Sequence, residues 1–391
     1  MQLPGGFRAH TANIGIKDDT TDFAVIAAEH PCAAAAVFTR SRFAGPSVTL
    51  SRGHASDGTL QAVVVVSKNA NVATGVEGDA DALELVVGVA RALGCEPGDV
   101  LIASTGVIGR RYPMDRVRTH LASMPPPTST DALAIAEAIM TTDTHPKVAR
   151  ATLPTAGGEG EASVVGIAKG VGMIEPDMAT MLAFVLTDAA VDADVLDRMF
   201  RAVVERTFNS LSVDTDTSTS DTAAVLASGA AGPVDEADFE AALDAVCLDL
   251  TRQLAADGEG ATTLIVVTVD EARDHAQAKR VAKAIVNSPL VKTAVHGADP
   301  NWGRIAMAIG KCSDDTDIDQ RAVTIRIGGR ELYPRPAADA DLAEMVAHLR
   351  GDEVSIEVSL GVAPGDEGGR ATVYGCDLTD GYVRINADYT T

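Results

Sequence analysis

The sequence is poor in the residue patterns that hold metals or build disulfide frameworks. Its five cysteines are scattered and odd in number, no two of them form a CxxC pair, and the eight histidines are equally dispersed. These spacings argue against a disulfide scaffold and against a zinc site. The sequence also has no P-loop and no Gly-x-Gly-x-x-Gly after a strand. We therefore expect neither a metal nor a nucleotide cofactor.

Positive charge and long apolar runs are also scarce. The chain has 32 Lys and Arg against 55 Asp and Glu, a formal net charge of −23. Nucleic-acid phosphates and anionic lipids would repel such a chain, so we expect neither a nucleic-acid nor a membrane partner. The longest apolar runs are far shorter than a membrane span, and Met1–His10 lacks a basic segment followed by an apolar one. The expected location is the cytoplasm.

Short apolar runs and segments of helical periodicity alternate along the chain, which indicates the α/β class. Phe23–Ala28, Val63–Val66 and Leu264–Val269 are predicted strands. Asp235–Leu254 is a predicted helix because its apolar residues recur at spacings of three and four. For roughly the last hundred residues, the pattern predicts several strands and a single helix, Asp341–Leu349.

The least regular segment lies in the middle of the chain. Lys169–Pro176 is rich in glycine and ends in proline, so it is not regular helix. An apolar run, Met181–Leu186, follows at once and is predicted to be a buried strand. Thr180 therefore lies between an irregular loop and a core strand. An isolated Ala-Thr pair there would usually only begin the strand, but a hydroxyl at a strand end is also easily presented as a nucleophile.

Five motifs occur once each, in this order along the chain: ASTGVIG at 103–109, IMTTDTHPK at 139–147, KGVGMIEPDMATML at 169–182, DGEGAT at 257–262 and SPLVKTAVHGADPNWGRIA at 288–306. Together they resemble the signature of the ornithine acetyltransferase family, also called glutamate N-acetyltransferase. The resemblance covers essentially the whole chain. It implies an α/β fold of the self-processing αββα type, with a smaller C-terminal α/β domain from about residue 270.

The resemblance also implies that the precursor cleaves itself between Ala179 and Thr180. The products would be an α chain, residues 1–179, and a β chain, residues 180–391, which assemble as an α2β2 heterotetramer. A threonine hydroxyl needs an adjacent base to become a nucleophile. Once Thr180 is an N-terminus, its α-amino group can be that base, since such amines titrate near about 7.7–8.0.

The activity implied by the resemblance is a ping-pong acetyl transfer. Thr180 would take the acetyl group from N2-acetyl-L-ornithine, release L-ornithine, and pass the group to L-glutamate. Thr105, through its hydroxyl, and Gly106, through its amide, would stabilise the oxyanion. Without the resemblance, that pair would be interpreted only as a strand-to-loop turn.

The substrate-binding residues implied by the resemblance are Thr142, Lys169, Thr180, Glu259, Asn386 and Thr391. A positive Lys169 suits the α-carboxylate that both amino acids share. Glu259 suits the ornithine ammonium but would repel the side chain of glutamate. In its Gly-Glu-Gly context, Glu259 alone would usually be taken for a surface residue.

Some positions depart from the common family pattern, among them Lys68, Asp177, Thr215 and Ser220. These variants resemble a paralogue group associated with clavulanic acid biosynthesis, which leaves the pathway open between that route and arginine biosynthesis. Two other functions compete with acetyl transfer. One is a self-processing N-terminal-nucleophile aminopeptidase or amidohydrolase, and the other is an uncleaved amino-acid-binding protein without turnover.

Self-cleavage can be tested on the purified chain. We expect intact-mass spectrometry to show two fragments for the wild type, divided at Ala179–Thr180, and one full-length chain for Thr180→Ala. The substitution removes the hydroxyl that attacks the Ala179 carbonyl. Continued cleavage in the variant would contradict the mechanism, and a single intact wild-type chain would favour the binding protein.

Overall fold

The computed structural model describes residues 1–17, 19–158, 160–175, 181–335, 338–365 and 367–388. Within these ranges, helices pack on two β-sheets. The strands of the larger sheet are β1 (Phe7–Ala12), β2 (Phe23–Phe38), β3 (Thr59–Val66), β4 (Val100–Ser104), β5 (Lys147–Pro154), β6 (Glu161–Lys169), β7 (Leu182–Ala190) and β8 (Thr222–Pro233). Their order is β4-β3-β2-β8-β7-β6-β5, and β1 pairs with the beginning of β2.

The long strand β2 divides this sheet into two halves. Its first part pairs with β1 and β3, and its register with β3 shifts between Ala27 and Cys32. Its second part pairs with β8. The inner faces of the halves share one hydrophobic core, in which Val63 of β3 and Phe184 of β7 are both fully buried. The sheet therefore folds over on itself.

The helices of this part of the chain are α1 (Pro46–His54), α2 (Gly75–Leu93), α3 (Met114–Leu121), α4 (Ala132–Ile139), α5 (Ala193–Arg206) and α6 (Glu236–Ala256). Helices cover the two outer faces, whereas α4 packs in the shared inner core, where its Ile135 and Ile139 are fully buried. Helices α2 and α3 share a core with the outer face of β3, whereas α5 and α6 share one with the outer face of β7. The layers run helix, sheet, sheet, helix, which confirms the predicted αββα sandwich.

The second sheet begins at Leu264 and has its own core. Its strands are β9 (Leu264–Ala272), β10 (Thr324–Ile327), β11 (Arg330–Tyr333), β12 (Glu353–Ser359) and β13 (Gly369–Cys376), in the order β11-β10-β12-β9-β13. The remaining helices are α7 (His275–Val286), α8 (Pro289–His296), α9 (Trp302–Gly310), α10 (Asp339–Leu349) and α11 (Asp380–Asp388). In the described part of the chain, none of the helices is both long and apolar enough to cross a membrane.

The prediction of a single helix near the C-terminus is wrong, because α9 and α11 form in addition to α10. Helix α9 follows an Asp-Pro-Asn sequence, which is typical of a turn. Its residues Ile305, Ala308 and Ile309 are buried in the second core. Burial of this short apolar face stabilises a helix that local composition does not favour.

The tight contact between β6 and α6 gives a test of this packing. A Cβ on Gly166 would lie 2.6 Å from side-chain atoms of both Val246 and Leu250. We expect Gly166→Ala to destabilise the protein by about 1–3 kcal/mol through overpacking. The control is Gly53→Ala in α1, where a Cβ meets nothing within 4 Å and helix propensity favours alanine. Thermal melting should separate the two variants, and equal melting temperatures would contradict the packing argument.

Candidate active site

The proposed cleavage point lies between two strands that pair closely. Ala179 and Thr180 fall outside the described residues, but the chain on both sides is described. Lys169, the last residue of β6, pairs with Leu182 at the start of β7. Leu182 also pairs with Thr222 of β8, whose amide donates to the Met181 carbonyl at 2.9 Å. The residue that follows Thr180 therefore lies at the end of β6 and the beginning of β8.

The glycine-rich loop before the cleavage point is held by the carboxylate of Asp214. Its oxygens accept the amides of Met173 at 2.6 Å and Ile174 at 2.8 Å. The Glu175 amide donates to the carbonyl of Asp216 at 2.9 Å. Sequence reasoning did not assign Asp214 to the site. In the sequence, Asp214 stands out only as part of an acidic, hydroxyl-rich run. Such a run does not predict contact with a loop about 40 positions away.

Glu259 contacts two other predicted substrate-binding residues, Thr142 and Asn386. Thr142 donates its hydroxyl to one carboxylate oxygen at 3.1 Å, and the Asn386 amide donates to the other at 2.8 Å. The Glu259 amide donates to the Val171 carbonyl at 2.8 Å. A Cβ on Gly172 would lie 2.6 Å from the Glu259 carboxyl carbon, so glycine is needed there. The sixth predicted residue, Thr391, lies outside the described residues.

Lys169 is a partly buried cation beside this group. Burial lowers its pKa, and the carboxylates of Asp143 and Asp221 oppose that effect. Across the residues that the structure describes, no carboxylate comes within ion-pairing distance of the Lys169 ammonium. Asp143 and Asp221 therefore interact with the Lys169 charge without forming a direct ion pair.

A buried ion cluster lies behind Lys169. The ammonium of Lys147 contacts Asp143 at 2.8 Å and Asp257 at 2.6 Å, and all three side chains are almost completely buried. Asp143 also accepts the Gly170 amide at 2.7 Å. Burial would raise the pKa of Asp143, but Lys169 and Lys147 outweigh it and hold that pKa below its ordinary value. Sequence reasoning missed this cluster, because Asp257 lies 110 positions from Lys147 along the chain.

The predicted oxyanion pair lies in a tight loop after β4. The amide of Thr105 donates to the Val66 carbonyl at 3.0 Å, and that of Val107 to the Lys68 carbonyl at 3.4 Å. Between them, Gly106 has a φ of +125°, and a Cβ there would lie 2.2 Å from the Lys68 carbonyl carbon. No acceptor for the Gly106 amide is found among the described residues. The loop thus presents an unpaired donor.

The oxyanion loop is connected to the Glu259 group through α4. Thr105 is bonded to the end of β3, and the next residue of that strand end, Ser67, donates its hydroxyl to the Ala138 carbonyl at 2.7 Å. Ala138 lies in the last turn of α4, and the segment after this helix carries Thr142. The described candidate residues are thereby tied to one another through a short series of contacts.

Comparison with known proteins gives a consistent result. The sequence model of the ArgJ family matches residues 8–391. Glutamate N-acetyltransferase Oat2 of Streptomyces clavuligerus is 58% identical, over 100% of this chain and 98% of that protein. The arginine biosynthesis bifunctional protein ArgJ of Rhodococcoides fascians is 52% identical, over 99% and 94%. A crystal structure of the Bacillus halodurans protein of the same name is 43% identical, with a TM-score of 0.49, over 54% of this chain and 100% of that one.

The buried cluster predicts both a stability loss and its pH dependence. Lys147→Met leaves two buried carboxylates unpaired, and we expect a loss of about 3–5 kcal/mol. Because the pKa of Asp143 is lowered in the folded state, its contribution is present above the ordinary pKa of about 3.9 and disappears as the pH falls through the lowered value. The melting-temperature difference from wild type should therefore narrow in acid.

Lys311→Met is the matched control, since Lys311 is exposed on the surface. It should melt within a degree or so of the wild type, because exposed charges contribute little. A Lys147→Met variant as stable as this control would show that the cluster does not support the site.

Proposed function

The chain belongs to the ArgJ family, and we propose that it is a self-cleaving acyltransferase, a glutamate N-acetyltransferase that moves the acetyl group of N2-acetyl-L-ornithine to L-glutamate. The observation that carries this proposal is the group around Glu259. Its carboxylate joins Thr142 and Asn386 next to the end of β6, where Lys169 has no ion-pair partner in the described chain. A cation without a direct ion pair and a nearby bridged carboxylate suit the two charges of an amino acid.

Self-cleavage would begin with Thr180. Its hydroxyl oxygen attacks the Ala179 carbonyl carbon, the peptide C–N bond breaks, and an ester forms while the amine takes up the proton. Water then hydrolyses the ester, which frees the Ala179 carboxylate and restores the Thr180 hydroxyl. The contacts of Asp214 with the preceding loop support this step, because a loop fixed in one conformation keeps the attacking and attacked atoms together.

The cleaved enzyme would then carry the acetyl group on Thr180. Its α-amine accepts the hydroxyl proton while the oxygen attacks the acetyl carbon of N-acetylornithine. The Gly106 amide and the Thr105 hydroxyl donate to the resulting oxyanion, and one such donor contributes roughly 100- to 1000-fold in rate. The amine returns the proton to the departing ornithine nitrogen. The amine of glutamate then attacks acetyl-Thr180, and the same steps run in reverse.

Substrate recognition follows from the charges. Lys169 holds the α-carboxylate that donor and acceptor share, and Glu259 holds the ammonium of ornithine. Thr142 and Asn386 support this orientation of Glu259, and we assign Thr391 to the same group from the resemblance alone. The names of the relatives connect the activity with arginine biosynthesis, and we propose that role in the cytoplasm.

The cleaved chains would stay associated. Strand β6 belongs to residues 1–179 and β7 to residues 180–391, and they pair antiparallel from Val164–Thr187 to Lys169–Leu182. Cutting the connection leaves this ladder and the shared cores intact. We propose that two such αβ units assemble as α2β2. Leu290, Trp302 and Met307 on α8 and α9 are exposed apolar side chains that such an assembly could cover.

The assay that tests this function measures acetyl release from N-acetylornithine with and without glutamate. We expect N-acetylglutamate to form in amounts equal to the ornithine released, with parallel lines in double-reciprocal plots because the mechanism is ping-pong. Thr180→Ala is the inactive control. Release of ornithine together with free acetate, with no acetylated glutamate, would contradict the proposal and favour the aminopeptidase or amidohydrolase.

A further inference from the structure

The two proposed substrates present a problem of charge. Both have an α-carboxylate, but the side chain of ornithine ends in an ammonium and that of glutamate in a carboxylate. Glu259 suits the first and repels the second. Among the predicted substrate-binding residues only Lys169 is cationic, and it is assigned to the shared α-carboxylate. The site therefore needs a second cation for glutamate.

A cavity of about 200 Å³ opens beside Glu259. Its lining includes Asp214, Glu259, Asn287, Lys292, Asp377 and Tyr382. Its volume equals the liquid volume of about six or seven waters, enough for the side chain of an amino acid. The side-chain oxygen of Asn287 is buried and has no hydrogen-bond partner in the described part of the chain. Most of the residues that line the cavity are polar.

Lys292, on α8, places a buried cation in this wall. Its side chain is only 5% exposed, and its ammonium donates to the Cys376 carbonyl. The Cys376 sulfur lies 4.0 Å from the same ammonium. Burial raises the pKa of that thiol to about 11, so the sulfur is neutral and supplies no counter-charge. An ammonium buried in this way is unfavourable unless an anion joins it.

The nearby carboxylates are engaged elsewhere. Asp377 accepts the amides of Thr262 and Thr263, and His296 contacts it at 2.9 Å. Asp214 holds the glycine-rich loop, as described above. Within the ranges that the structure covers, no carboxylate lies at ion-pairing distance from the Lys292 ammonium. The cavity therefore combines a buried cation that lacks an anion with room for one.

Lys292 is also close to Glu259 through a short series of contacts. Gly258 precedes Glu259, and a Cβ on it would lie 2.5 Å from the Cys376 sulfur. Cys376 in turn provides the carbonyl that Lys292 contacts. The carboxylate-bearing Glu259 and the ammonium-bearing Lys292 thus line the same small cavity from neighbouring segments.

We propose that Lys292 is the specificity-determining residue for the acceptor and binds the side-chain carboxylate of glutamate in this cavity, whereas Glu259 binds the ammonium of ornithine. This inference rests on the proposed acetyl transfer. One cavity then accepts two side chains of opposite charge, because each finds its own counter-ion in the wall. The α-carboxylate remains on Lys169 in both complexes, so the reacting nitrogen stays in place.

The test compares two acceptors on the same acetyl-enzyme. Exchange of labelled ornithine with N-acetylornithine measures ornithine as acceptor, and N-acetylglutamate formation measures glutamate. We expect Lys292→Met to lower kcat/KM for glutamate at least tenfold more than for ornithine, since it removes a charge-assisted hydrogen bond only from glutamate. Lys292→Arg keeps the charge and should restore much of the preference. Lys311→Met serves as the control for an exposed lysine.

Glutamine as acceptor provides a second measurement that does not depend on the variant folding. The wild type should prefer glutamate over glutamine at least tenfold, and Lys292→Met should lose that preference. Two outcomes would overturn the role of Lys292 but leave the proposed acetyl transfer intact. One is an equal loss of kcat/KM for ornithine and glutamate in Lys292→Met, and the other is a wild type that does not prefer glutamate over glutamine. A wild type that carries out neither exchange nor transfer would instead overturn the proposed function, and the inference with it.

Discussion

The antiparallel pairing of β6 with β7 is the constraint on which the rest of the site depends. It places Lys169 opposite Leu182, so the chain must leave β6 and return to the start of β7 within the twelve residues 170–181. In this loop the amides of Gly170, Met173 and Ile174 donate to the carboxylates of Asp143 and Asp214, which lie far away along the chain. A backbone held by such charged acceptors is fixed more firmly than by neutral ones. The proposed nucleophile is therefore anchored through its neighbours.

Buried charge organises the surroundings of this junction. The Lys147 ammonium contacts both Asp143 and Asp257 inside the fold, and Asp143 also holds the loop through the Gly170 amide. Lys292 and Glu259 line the same cavity. Buried ions are costly when unpaired. The proposed site would thus hold two cations that form no direct ion pair in the described chain, which suits a ligand with two carboxylates such as glutamate.

The sequence patterns predicted some elements of the fold and missed others. The helix predicted at Asp235–Leu254 forms as α6, because its spacing of apolar residues matches one buried face. The strand predicted at Leu264–Val269 forms within β9. Helix α9 was not predicted, because its stability comes from burial in the second core and not from local composition. For the site, the motifs indicated Thr142, Glu259 and Asn386, but their mutual contacts join residues 117 and 127 positions apart.

The sequence by itself determined the α/β class, the family, the position of the glycine-rich junction before Thr180 and the residue types expected around it. These follow from local periodicity and from motifs, which are properties of short segments. Only the tertiary structure decided that the sheet folds over on itself, that Asp214 and Asp143 hold the loop, and that Lys292 shares a cavity with Glu259. Such relations depend on which distant segments meet, and the packing of buried surfaces sets that choice.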